Sequence, residues 1–158
     1  MEISVNPPYG VPPLYIGMSY ADTVDAAAEF GELRVSGPFS HSPTVKVSAS
    51  YKTLDVMALL EDGERVTAIE LWRFEGCEQD IKVTCGGLDI FRTPAREFLD
   101  KKKEEGYRVD VSDPESPVIP GVTLAFTRET GQDVPLDPVD GLPLYFTSVL
   151  VSNEEYFD

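Results

Sequence analysis

The residues of this sequence with the most capacity for chemistry are carboxylates, and they are concentrated in its second half. Between residues 109 and 158, ten acidic side chains accompany a single base, Arg128. Such a concentration of negative charge either serves solubility alone or favours a basic partner, because complementary fields raise association rates and disfavour wrong partners. We therefore predict a partner-binding surface made of six carboxylates on two segments: Asp110, Asp113, Glu115, Asp133, Asp137 and Asp140.

The long loop at 129–141 is the centre of this predicted surface. A loop of this length in a compact domain is typical of a functional segment. Its prolines, Pro135 and Pro138, limit the entropy that the loop loses on docking. Taken as exposed charges, its aspartates are expected to be replaceable by asparagine with little change in stability.

Other chemistry is less well supported by the residue pattern. The aspartates of the loop lack the spacing of an EF-hand, so no metal site is predicted. Cys77, Cys85 and the single histidine, His41, form no zinc or disulfide pattern. No phosphate-binding glycine loop or nucleophile motif occurs, and no cofactor is expected. Carboxylates distant in sequence that converge into an acid–base pair remain an alternative.

Composition sets further bounds on function. The chain has 158 residues and a net charge of −15, which argues against direct nucleic-acid binding and against attraction to an anionic membrane. No apolar run is long enough to span a membrane, and the first residues do not resemble a signal peptide. We expect a cytoplasmic protein.

The residue pattern in the first half of the sequence predicts an extended proline-rich arm at 1–14. A helix over 20–30, capped by Ser19, is expected to follow it. Alternating residues at 45–51 predict a strand. The apolar runs 54–60 and 66–74, separated by a turn containing Asp-Gly, predict a hairpin.

The second half repeats this order of elements. Thr93 and Pro94 predict the start of a helix over 94–105, and strands are expected at 121–127 and 143–151. We predict one α+β domain over 1–158, built from two helix-plus-antiparallel-strand units, 15–80 and 81–158. Its core is expected to contain Val24, Ala27, Leu59, Ile69, Leu71, Phe98, Leu99, Leu124, Phe126, Phe146 and Val149.

A resemblance to known families accompanies this outline. The segment from Ile16-Gly17-Met18-Ser19 to Phe30-Gly31-Glu32 resembles the helical opening of BamE/SmpA-like modules and of small bacterial immunity-type proteins. The ending, Tyr145-Phe146-Thr147-Ser148-Val149-Leu150-Val151 with Tyr156-Phe157-Asp158, looks like that of uncharacterised actinobacterial proteins. The resemblance implies a small α+β domain with a binding role and transfers no site residue.

Two classes of binding protein and one of enzyme follow from these observations. The leading hypothesis is a non-catalytic immunity protein that neutralises a toxin by covering a basic active surface. A nucleic-acid mimic that blocks a DNA-binding protein is the alternative, and it requires rows of carboxylates across one face. An enzyme with convergent carboxylates is the third.

Overall fold

The computed structural model describes residues 2–73, 81–128 and 134–153, and it has an α+β fold. The helices are α1 (Tyr20–Ala27) and α2 (Ala95–Glu104). The strands are β1 (Glu2–Ser4), β2 (Gly10–Val11), β3 (Leu14–Tyr15), β4 (Glu32–Ser36), β5 (Val45–Tyr51), β6 (Leu54–Leu60), β7 (Ala68–Arg73), β8 (Lys82–Cys85), β9 (Leu88–Asp89), β10 (Val118–Ile119), β11 (Leu124–Thr127) and β12 (Ser148–Ser152).

A seven-stranded antiparallel sheet dominates the fold, with the strand order β10-β11-β12-β7-β6-β5-β4. β4 to β7 form a meander of sequential neighbours, and β12 pairs with β7 on one side and β11 on the other. The sheet is therefore continuous across the two halves of the sequence, and its two ends are β4 and β10.

One face of this sheet carries the apolar core. A row of opposed residues runs across it from Phe126 through Val149, Leu71 and Val56 to Ala49, and all five are buried. The alternation of β5 and β6 produces this pattern, because successive side chains of a strand point to opposite faces.

Helix α2 packs on this face through Phe98. The Phe98 ring lies edge-on to Phe126 and Phe146 at centroid distances of 5.4 and 5.7 Å. All three rings are buried, and Phe126 and Phe146 stack on each other at 4.4 Å. These contacts place α2 beside the end of the sheet formed by β10 and β11.

The two helices begin in different ways. Ser19 caps α1 as predicted, since its hydroxyl oxygen accepts a hydrogen bond from the Asp22 amide. The predicted cap at Thr93 is wrong: Pro94 occupies the cap position, and no side chain caps α2. The Ala95 amide instead donates to the Leu144 carbonyl at 2.7 Å, so a tertiary hydrogen bond satisfies this helix end.

The predicted hairpin at 54–74 is confirmed by the pairing of β6 with β7. The strand expected at 121–127 begins only at Leu124, after a short 3-10 turn. The strand expected at 143–151 is shifted to Ser148–Ser152, because the backbone of 143–144 bonds to the first residue of α2, to Pro135 and to the Arg128 side chain.

The predicted core is largely confirmed, with two differences. Leu59 is only half-buried, because it lies on the opposite face of β6 from Ala58 and Leu60. Val24 is also half-buried and packs at the border of the core. The other predicted core residues are buried: Ala27, Ile69, Leu71, Phe98, Leu99, Leu124, Phe126, Phe146 and Val149.

The proline-rich arm is part of the folded body. β1 pairs in parallel with β8, and β2 pairs with β3. Ile3, Val5, Val11 and Leu14 are buried in the core. Neither described helix has the length and apolarity needed to cross a membrane.

Candidate functional site

A groove of about 420 Å³ lies between α2 and the segment that follows it. Leu99, Val111 and Pro114 supply its apolar surface, while Arg96, Asp100, Lys103, Arg128 and Asp140 supply its charged groups. The groove therefore brings together parts of both segments that the sequence predicted as a binding surface. We refer to it as the α2 groove.

Asp137 lies beneath the loop surface and not on it. Its side chain is 4% exposed, and its Oδ2 accepts a hydrogen bond from Arg96 Nε at 2.6 Å. Its Oδ1 accepts from the Val139 amide at 2.8 Å, and its carbonyl accepts from the Gly141 amide. Asp137 is therefore the internal support of the 137–141 turn.

Asp140 is held by the buried Arg128. Nη1 and Nη2 of Arg128 donate to the two carboxylate oxygens at 2.8 and 3.3 Å, which is a bidentate pair. Arg128 Nε donates to the Pro143 carbonyl, and Nη2 lies 3.9 Å from Asp137 Oδ2. Arg128 therefore ties the loop to the end of β11.

Hydrogen bonding keeps both loop carboxyls ionised. The Val139 amide and the Arg96 guanidinium lower the pKa of Asp137 below its usual value. Burial raises the pKa of Asp140, but the hydrogen bonds from Arg128 and the Leu142 amide outweigh it, so this pKa is also lowered. Such carboxyls are poor proton donors at neutral pH, which favours a structural role for the pair over acid catalysis.

These contacts argue against the expectation that the loop aspartates can be neutralised without loss of stability. Asp137 and Asp140 hold arginines that are needed to fix the loop, so they are not free steering charges. Asp133 lies outside the described residues, as does Cys77.

The segment at 110–115 carries the charges that face solvent. Asp113 and Glu115 are exposed, and Asp110 is half-buried. The Ser112 hydroxyl and amide donate to Asp110 Oδ1 and lower the pKa of this carboxyl. Asp110 also forms a β-bridge with Val118, which anchors the segment to β10.

The other side chains considered from sequence are not part of this site. His41 is exposed and stacks on Phe39, and Cys85 is a buried free thiol whose pKa is raised by burial. Within the described ranges, no group of three or more candidate ligands is arranged to hold a metal ion.

Arg96 is the residue of this site that sequence reasoning missed. It lies on α2, 41 positions from Asp137 in sequence. No local spacing rule connects two residues so far apart, whereas the excess of loop carboxylates over nearby bases does signal that partners must come from elsewhere.

No protein-family model, curated protein or solved structure matches this chain significantly.

Proposed function

We propose that this chain is a non-catalytic acidic binding protein of the immunity type, which neutralises a toxin by covering a basic surface. The observation that carries the proposal is the surface around the α2 groove, where exposed carboxylates and exposed apolar side chains occur in the same segments. Val111 is 47% exposed and lies two positions before the exposed Asp113 in sequence, and Val139 is 70% exposed on the 137–141 turn. Interfaces commonly combine an apolar centre with a charged rim.

The groove lining itself holds three cations, Arg96, Lys103 and Arg128, and two carboxylates, so we propose that a basic partner is recognised by the exposed carboxylates next to the groove. Val111 and Pro114 of the lining offer an exposed apolar surface for the aliphatic stems of lysine and arginine, and the exposed Asp113 and Glu115 of the same segment offer carboxylates for the charged ends. Asp137 and Asp140 contribute by fixing the loop, which reduces the entropy lost on docking. The docking charges are thus proposed to be Asp113 and Glu115, with Asp110 holding their segment in place.

The two-unit repeat and the cytoplasmic location belong to the same proposal. Each helix precedes antiparallel strands of one shared sheet, which supports a repeat in the order of elements. An immunity protein of this kind would meet its toxin inside the producing cell.

The first experiment recovers a partner. The tagged chain is co-expressed with the products of neighbouring genes, and stable complexes are purified and identified. We expect a basic protein whose toxicity is suppressed in the complex. Recovery of no stable partner would remove the basis of the proposal, and displacement of the chain by added DNA would favour the nucleic-acid mimic instead.

The second experiment locates the docking surface. The double variant Asp113→Asn/Glu115→Gln is compared with Asp25→Asn/Glu29→Gln, which removes two exposed charges from α1 and its C-terminal end. We expect the first variant alone to associate more slowly at low salt, with the difference shrinking as salt screens the charges. Equal association rates for both variants would place the interface elsewhere.

A further inference from the structure

The outer edge of β4 is a strand edge that no other described strand covers. β4 is the last strand of the seven-stranded sheet, and all five of its residues are exposed. Unpaired edges of this length are templates for a further strand unless they are protected. The edge lies at the opposite end of the sheet from β10 and the α2 groove.

The apolar side chains of β4 continue the core face of the sheet. Leu33 lies opposite Ala49, and Val35 lies opposite Val47. Ala49 and Val47 are buried, whereas Leu33 and Val35 are 36% and 40% exposed. The core row therefore extends onto the last strand without being covered there.

The backbone of β4 presents hydrogen-bonding groups to the open side. The Ser48 hydroxyl of β5 donates to the Arg34 carbonyl, so this carbonyl points toward β5. Because backbone groups of successive strand residues alternate in direction, the N–H and C=O groups of Leu33 and Val35 point outward.

We propose that β4 pairs with β4 of a second copy of this chain, in an antiparallel register centred on Leu33. This register joins the outward backbone groups of the two Leu33 residues and packs their side chains together. It also sets Glu32 opposite Arg34 of the second copy, twice by symmetry. The alternative register centred on Arg34 would set Arg34 of one copy opposite Arg34 of the other. Like charges directly opposite each other are destabilising.

The experiment is a charge-reversal series followed by sedimentation or light scattering over a range of concentrations. Glu32→Arg and Arg34→Glu each create like-charge pairs in the homodimer, so each is expected to weaken dimerisation about tenfold. A mixture of the two variants restores opposite charges at both pairs and is expected to dimerise like the wild type. Arg108→Glu, an exposed change outside the strand, serves as the control.

A backbone variant tests the same register independently of charge. Val35→Pro removes an outward N–H group, and proline is tolerated on an edge strand at such a position. We expect loss of dimer with the melting temperature of the monomer retained. A wild-type chain that is monomeric at all concentrations, or variants that dimerise unchanged, would overturn the proposal. These outcomes are independent of the α2 groove and its partner.

Discussion

Arg128 and Asp140 form a bidentate ion pair in which the arginine side chain is 3% exposed and the aspartate side chain 26% exposed. The pair joins the residue following β11 to the turn at 137–141. It lies beside Asp137, which Arg96 binds from α2. Three separate parts of the chain are thus connected by four charged side chains.

Arg128→Met is expected to lower the free energy of unfolding by about 3 kcal/mol. The substitution removes the buried guanidinium that pairs with Asp140 and lies near the buried Asp137. Urea unfolding at neutral pH provides the measurement. Arg108→Met, which removes an exposed arginine, is the control and should change stability little. Similar losses in both variants would contradict a structural role specific to Arg128.

The lowered pKa of Asp137 predicts a dependence of stability on pH. A carboxyl whose pKa is lower in the folded state stabilises the fold above its unfolded pKa of about 3.9, and this contribution is lost as pH falls through the folded pKa. The wild type should therefore exceed Asp137→Asn in stability at pH 6. The difference in unfolding free energy between the wild type and Asp137→Asn should become smaller as the pH falls below about 4, as measured from urea midpoints at each pH. A stability difference between the two proteins that does not change with pH would contradict the lowered pKa of Asp137.

The two predicted helix caps provide a matched pair of variants. Ser19→Ala removes a hydroxyl that accepts from the Asp22 amide and should cost about 1 kcal/mol. Thr93→Ala should cost less, since Thr93 does not cap α2. Thermal unfolding of both variants measures the difference, and an equal loss at Thr93 would restore the cap inferred from sequence.

Phe98 is expected to be a main source of stability at the α2 end of the core. Phe98→Ala removes a buried ring in contact with Phe126 and Phe146, which should cost about 3–5 kcal/mol. Phe39→Ala is the control, because that ring is 55% exposed. Denaturant unfolding that gave equal effects for the two phenylalanines would mean that α2 does not pack through Phe98.

Local signals in the sequence predicted the elements that depend on local chemistry. The Ser19 cap, the alternation in β5 and β6, and the Asp-Gly turn each act over a few residues, and each is confirmed. The errors occur where a distant residue replaces the local partner. Thr93 is not needed as a cap because Leu144 accepts from Ala95, and 143–144 is not a strand because its backbone serves α2 and Arg128.

The candidate site was also predicted only in part, because some of its contacts come from residues distant in sequence. The segment at 110–115 and the loop at 129–141 were identified from charge, and Val111, Pro114 and Asp140 of these two segments line one groove. Their charges differ in role because Arg96 approaches from another element, and composition alone cannot distinguish a paired carboxylate from a free one. The strand β4 was missed because only two apolar residues, Leu33 and Val35, carry its alternation, which is a weak signal over five residues.

The position of β12 has a consequence for how the chain folds. The β5–β6–β7 meander can form from neighbouring segments, but β12 must insert between β7 and β11 from far along the sequence. Non-local pairing of this kind is slow, so we expect the edge of β7 to stay unpaired during folding until β12 arrives. In that interval the nascent sheet can pair with other chains. We expect the net charge of −15 to limit this pairing, because mutual repulsion between partly folded molecules disfavours aggregation until the sheet is complete.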